Sequence, residues 1–114
     1  MRVFRVAWND EAAAALAGAM AEDSEFIANE VKSGGAVLWC CVGHGWLVTR
    51  QEGSELVFVA GAGINARDVI KLFISKKNKL KIKTCRIHSA RRGMGKYLKK
   101  LGFKEVERVY KVAV

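Results

Sequence analysis

Three apolar runs separated by two short, glycine-bearing turns constrain the fold of this chain more than any other feature. Residues 36–42, 45–50 and 56–60 are dominated by aliphatic and aromatic side chains, and Gly43-His44-Gly45 and Glu52-Gly53-Ser54 separate them. Turns this short reverse the chain, so the three predicted strands form an antiparallel meander. Residues 65–75 then switch to helical period, placing Val69, Ile70, Leu72 and Phe73, with Ala66, on one face and Asn65 at the N-cap. A strand predicted over 80–88 alternates Leu80, Ile82, Thr84 and Arg86 against Lys81, Lys83, Cys85 and Ile87. A strand–helix–strand unit requires a right-handed parallel connection. A meander fused to such a unit is a mixed β-sheet with helices on both faces, an α/β fold class.

Both ends of the chain extend this pattern. Residues 2–8 read as a first strand, followed by an alanine-rich helix over 11–21 that Asn9 or Asp10 caps. A second helical segment over 24–31 is predicted to bury Phe26, Ile27 and Val31, and 32–35 is a break. Residues 76–79 read as a solvated lysine-rich turn. Near the C-terminus, Met94, Tyr97, Leu98 and Leu101 recur at helical spacing, Gly102 stands at the helix stop, and a last strand begins at Phe103. The predicted order is β-α-α-β-β-β-α-β-α-β in one domain, 1–114.

Charge is divided unevenly. Residues 1–66 carry 4 basic and 8 acidic groups, a balance of −4; residues 67–114 carry 16 and 3, a balance of +13. Such asymmetry points to an anionic partner or cofactor, nucleic acid among them. No apolar run is long enough for a membrane span, and the N-terminus has no signal-peptide pattern, so the expected location is cytoplasmic. Cys40 and Cys41 are adjacent in a predicted strand and point to opposite faces; with Cys85 and two distant histidines they make no metal spacing, and they read as reduced, buried thiols.

The segment Tyr97-Leu-Lys-Lys-Leu-Gly-Phe-Lys-Glu-Val106 resembles the C-terminal signature of the GNAT family of N-acetyltransferases, and the predicted element order resembles that family's order over nearly the whole chain. The resemblance implies acetyl-CoA as cofactor, its pyrophosphate held by backbone groups of a glycine-rich turn between the fourth strand and the next helix. That location carries Val59-Ala60-Gly61-Ala62-Gly63-Ile64-Asn65-Ala66-Arg67. The implied cofactor-binding residues are Gly61, Gly63, Asn65, Ala66 and Arg67, assisted by Arg91 and Arg92, with no metal. The implied catalytic acid is Tyr97, which stands one residue before the family's usual tyrosine position, occupied here by Leu98. A base for the acceptor amine would come from the meander, where Glu52, Glu55 and His44 are the titratable groups.

Three functions fit these observations. The chain is an N-acyltransferase of unread acceptor. Or it is a non-catalytic GNAT-fold interaction module of the kind met in phage and prophage genomes. Or it is a basic nucleic-acid-binding protein, although no known nucleic-acid-binding motif is present. A homodimer formed through sheet strands is compatible with each.

Overall fold

The computed structural model describes residues 2–87. The helix expected over 92–101, the strand expected from 103, and Arg91, Arg92 and Tyr97 with them lie outside the described residues. Within these bounds the elements are β1 (Val3–Val6), α1 (Asp10–Met20), a 3-10 turn (Ala21–Asp23), α2 (Ser24–Ser33), β2 (Val37–Cys41), β3 (Gly45–Glu52), β4 (Glu55–Ala62), α3 (Ala66–Ser75), α4 (Lys77–Leu80) and β5 (Thr84–Ile87).

The five strands form one sheet in the order β1-β2-β3-β4-β5, antiparallel from β1 to β4 and parallel between β4 and β5. The meander and the parallel crossover are those that the turn lengths require. Asn9 caps α1, its side-chain oxygen accepting from the Ala12 amide at 2.9 Å. Asn65 caps α3 in the same way, accepting from the Asp68 amide at 3.3 Å.

Each face of the sheet has its own core. One packs Ala12, Leu16 and Met20 of α1 and Ile27 of α2 against Leu38, Val48 and Ala60. The other packs Val69, Ile70 and Phe73 of α3 against Cys41, Leu47, Leu56 and Phe58. Phe73 sits edge-on to two rings, Trp39 at 5.3 Å and Phe58 at 5.8 Å between centroids. Those edge-to-face contacts add about 0.5–1.5 kcal/mol each to the area the ring buries. They fix α3 on the sheet.

One irregularity shapes β4. Val48 pairs with Ala60 while Thr49 pairs with Phe58, so Val59 is an extra residue, a β-bulge. The bulge exchanges the faces of the strand: Leu56 and Phe58 point to the α3 side, whereas Ala60 and Ala62 point to the α1 side.

Three local expectations are corrected. Residues 77–80 are a helical turn rather than an open one, because the Leu80 and Ile82 amides bond back to the carbonyls of Lys76 and Lys77. The last described strand therefore begins at Thr84, and Cys85 and Ile87, not Thr84 and Arg86, join Leu80 and Ile82 against the α3-side core. Phe26 is 62% exposed rather than buried, since α2 turns only Ile27 fully inward.

Candidate functional site

The end of β4 and the start of α3 meet at the turn 61–65, and two glycines decide its shape. Gly63 has φ +70, a conformation that a side chain disfavours. A Cβ there would also stand 2.6 Å from the His44 carbonyl oxygen. Across from it, a Cβ on Gly45 would fall onto the Ala62 carbonyl oxygen. The β2–β3 turn and the β4–α3 turn thus touch backbone to backbone, which only glycine at both positions permits. Gly61 is constrained differently: the Ile64 side chain folds back over it, and a Cβ would lie 2.9 Å from the Ile64 Cδ1.

This braced turn leaves donors exposed. Among the described residues the amides of Gly63, Ile64 and Asn65 have no protein acceptor, and the first amides of α3 after them are free by helix geometry. The Asn65 side chain occupies only the Asp68 amide. Arg67, in the first turn of α3, is exposed. Unpaired amides at the positive end of a helix are the kind of group that takes a phosphate-type anion. Of the expected cofactor-binding residues, the structure brings Gly61, Gly63, Asn65, Ala66 and Arg67 together on this turn.

The meander carboxylates stand elsewhere. Glu52 and Glu55 lie at the opposite end of β4, about 23 Å from Ala62 at ~3.3 Å per residue. Both are engaged: Arg86 Nη2 bonds Glu52 at 2.8 Å, Arg86 Nε lies 3.2 Å from Glu55, and Arg50 joins Glu52 at 3.2 Å and Glu30 at 3.1 Å. The Arg86 Nε contact is a charge contact rather than an aligned hydrogen bond. Thr84 Oγ1 donates to Glu55 at 3.3 Å. This ladder ties α2, β3, β4 and β5 together on the α2 side of the sheet and leaves neither carboxylate as a free base. His44, by contrast, is exposed and belongs to the turn that braces Gly63.

The thiols have no part in the site. Burial raises the pKa of Cys41, with neighbouring Cys40 adding to it; burial, then the charge of Glu55, raises that of Cys85. Both stay protonated at neutral pH, as small apolar fillers do.

The role of Gly45 is not readable from its own segment, where it is one of two glycines flanking a histidine in a turn. Its meaning lies in the Ala62 carbonyl 17 residues later.

No protein-family model matches this chain, and no curated protein matches it at a significant level. Solved structures do. A probable acetyltransferase superposes with a TM-score of 0.68 at 11% sequence identity, over 100% of this chain and 98% of the other. A ribosomal-protein-alanine N-acetyltransferase from Brucella melitensis biovar Abortus 2308 superposes with a TM-score of 0.63 at 12% identity, over 99% of this chain and 97% of the other. At such identities the likeness is one of fold, and the fold is that of GNAT acetyltransferases.

Proposed function

We propose that this chain is a small N-acyltransferase of GNAT type that binds acetyl-CoA on the turn 61–67. The observation that carries the reading is the braced glycine turn ahead of α3, whose amides have no acceptor among the described residues. The fit is chemical as well as geometric. Amides without an acceptor among the described residues follow one another along the turn, as a pyrophosphate would require, and the missing Cβ atoms of Gly45 and Gly63 let the two turns meet behind them.

Acetyl-CoA, when bound, supplies an acetyl group activated as a thioester. The amides of Gly63, Ile64 and Asn65 and those of Ala66 and Arg67 at the start of α3 would hold the phosphates, and Arg67 would supply positive charge beside them. Arg91 and Arg92, which the family resemblance assigns to the cofactor, would add to that charge. Transfer to an acceptor amine would leave the cofactor's sulfur as a thiolate, and Tyr97 would be the acid that protonates it. The amine's own proton would pass to water or to His44, because Glu52 and Glu55 are held by arginines at the far end of β4.

Isothermal titration of the full chain with acetyl-CoA at low and moderate salt tests this. Saturable binding that survives moderate salt, and is lost in Gly63→Ala, supports it; no saturable binding at either salt overturns it. A second reading, an acetyl-CoA-binding module without transfer, is favoured by one observation: both meander carboxylates are ion-paired. Release of free CoA thiol with a panel of amines separates the two. Turnover that falls in Tyr97→Phe selects the enzyme, and binding without turnover selects the module.

A further inference from the structure

The basic charge of the described chain is sorted by more than position. Arg50 and Arg86 are neutralised by Glu30, Glu52 and Glu55. The lysines after α3 are not. Residues 71–87 contain no acid. Lys76, Lys77, Lys79, Lys81 and Lys83 are all exposed, and none has an ion-pair partner among the described residues. Like charges gathered this closely repel and lower folded stability. A surface kept only for solubility would intersperse both signs.

The corner is also held still. Ile82 is buried and Leu80 half-buried against the α3-side core. Gln51 Nε2 donates to the Leu80 carbonyl at 3.1 Å, and the Lys83 amide donates to the Ser54 carbonyl at 2.7 Å. Leu80 and Ile82 point in, so Lys81 and Lys83 point out. A compact helical turn, Lys77–Leu80, sets Lys77 and Lys79 beside them.

We propose that this lysine corner docks on the phosphodiester backbone of duplex nucleic acid, without reading its sequence. The side-chain types argue for that partner. Free cations here are lysines, mobile point charges that contact phosphate oxygens singly and lack the planar fork that would fix one orientation, as docking on a backbone without sequence readout requires. Among the described residues no exposed aromatic belongs to the corner; their exposed large apolar side chains are Phe4, Phe26, Val42 and Ile74. A single strand would call for an aromatic platform on which bases stack. The surface is also separate from the turn 61–67: α3 stands between them, about 15 Å long at 1.5 Å per residue. The inference is therefore independent of acetyl-CoA binding, and it leaves Arg86, part of the basic run in the sequence, out of the surface.

The test is fluorescence anisotropy of the full chain with a labelled 20-base-pair duplex from 50 to 200 mM KCl. Contact with about three to five phosphates gives a log–log salt slope of about −3 to −5. The triple variant Lys77→Gln, Lys79→Gln, Lys83→Gln is expected to weaken binding at least tenfold at 50 mM and to flatten the slope by two to three units, at ~0.9 per phosphate. Its acetyl-CoA titration should be unchanged. Arginine at the same three positions keeps the charge and should keep the binding, which controls for folding. No binding at 50 mM overturns the proposal. So does an unchanged slope in the glutamine variant, which would place the contacts in the segment after residue 87. Competition by polyglutamate as strong as by unlabelled duplex, at equal charge, would assign the corner to an acidic polypeptide instead.

Discussion

The two ends of strand β4 are built on opposite principles. At its start, Glu55 to Phe58 pair with β5 on one side and β3 on the other, and Glu55 is matched to Arg86 and Thr84. At its end, beyond the bulge at Val59, its partner strand among the described residues is β3 alone, and the chain runs into a turn whose amides have no acceptor among those residues. The first end commits its carboxylates to ion pairs within the fold; the second leaves amides without an acceptor among the described residues, at the cost of glycines that cannot be replaced. A strand that unites both acts as a rigid arm, anchored at one end and presenting a binding edge at the other.

The comparison breaks most sharply at the glycines. Gly63→Ala incurs the ~1–2 kcal/mol of a left-handed alanine and also meets the His44 carbonyl. Gly45→Ala meets the Ala62 backbone, which cannot yield as a side-chain tip would. Both should abolish acetyl-CoA binding in calorimetry, with a drop in melting temperature. The fixed middle of the sheet comes next. Trp39 Nε1 donates to Thr49 Oγ1 at 2.8 Å, and Thr49 is 2% exposed. Thr49→Val keeps the shape but orphans the indole N–H, for about 1–3 kcal/mol in denaturant melts, with binding retained. At the anchored end, Arg86→Gln removes contacts to two carboxylates, yet those groups are about a third or more exposed. Solvent screening limits the loss to about 1 kcal/mol or less, and acetyl-CoA binding should not change.

The smallest effect is one of pH. Burial raises the pKa of Cys41 and Cys85 above the ordinary thiol value of 9.0. Their contribution is complete below pH 9.0, where both states are protonated. Above it the unfolded chain releases thiol protons that the folded chain retains, so stability falls as pH rises towards the folded values. Denaturant midpoints between pH 8 and 10 should decline less in a Cys41→Ala, Cys85→Ala variant than in the parent.

Much of the scaffold was legible in the sequence because turn length dictates strand direction. Gly43 to Gly45 and Gly53-Ser54 leave no route but reversal, and Asn9 and Asn65 announce their helices. The bulge was not legible. Residues 56–60 are uniformly apolar, so no change of phase marks Val59, and both faces of the sheet accept what they receive. The phase of β5 was misread for a related reason: Leu80 and Ile82 mimic strand alternation, yet reach the core from a helical turn and the loop after it. The cofactor turn was located by its glycines, while the brace behind it required residues far apart in sequence to meet. Phe26 shows the limit of periodicity, which finds an apolar stripe but not how far a neighbouring element covers it.

The sheet order has a consequence for how the molecule assembles. The hairpins of β2, β3 and β4 close over a few residues, with Cys41 opposite Gly45 and Glu52 opposite Glu55. By contrast β1 brings Val3 to Cys41, and β5 brings Thr84 to Glu55, across far longer loops whose closure costs more entropy. The meander is therefore the natural nucleus, with β1 and β5 added to its flanks. If β5 is the later addition, Arg86→Gln is expected to speed unfolding and leave the folding rate unchanged in stopped-flow denaturant jumps, which would make the ion-pair ladder a latch on a finished sheet.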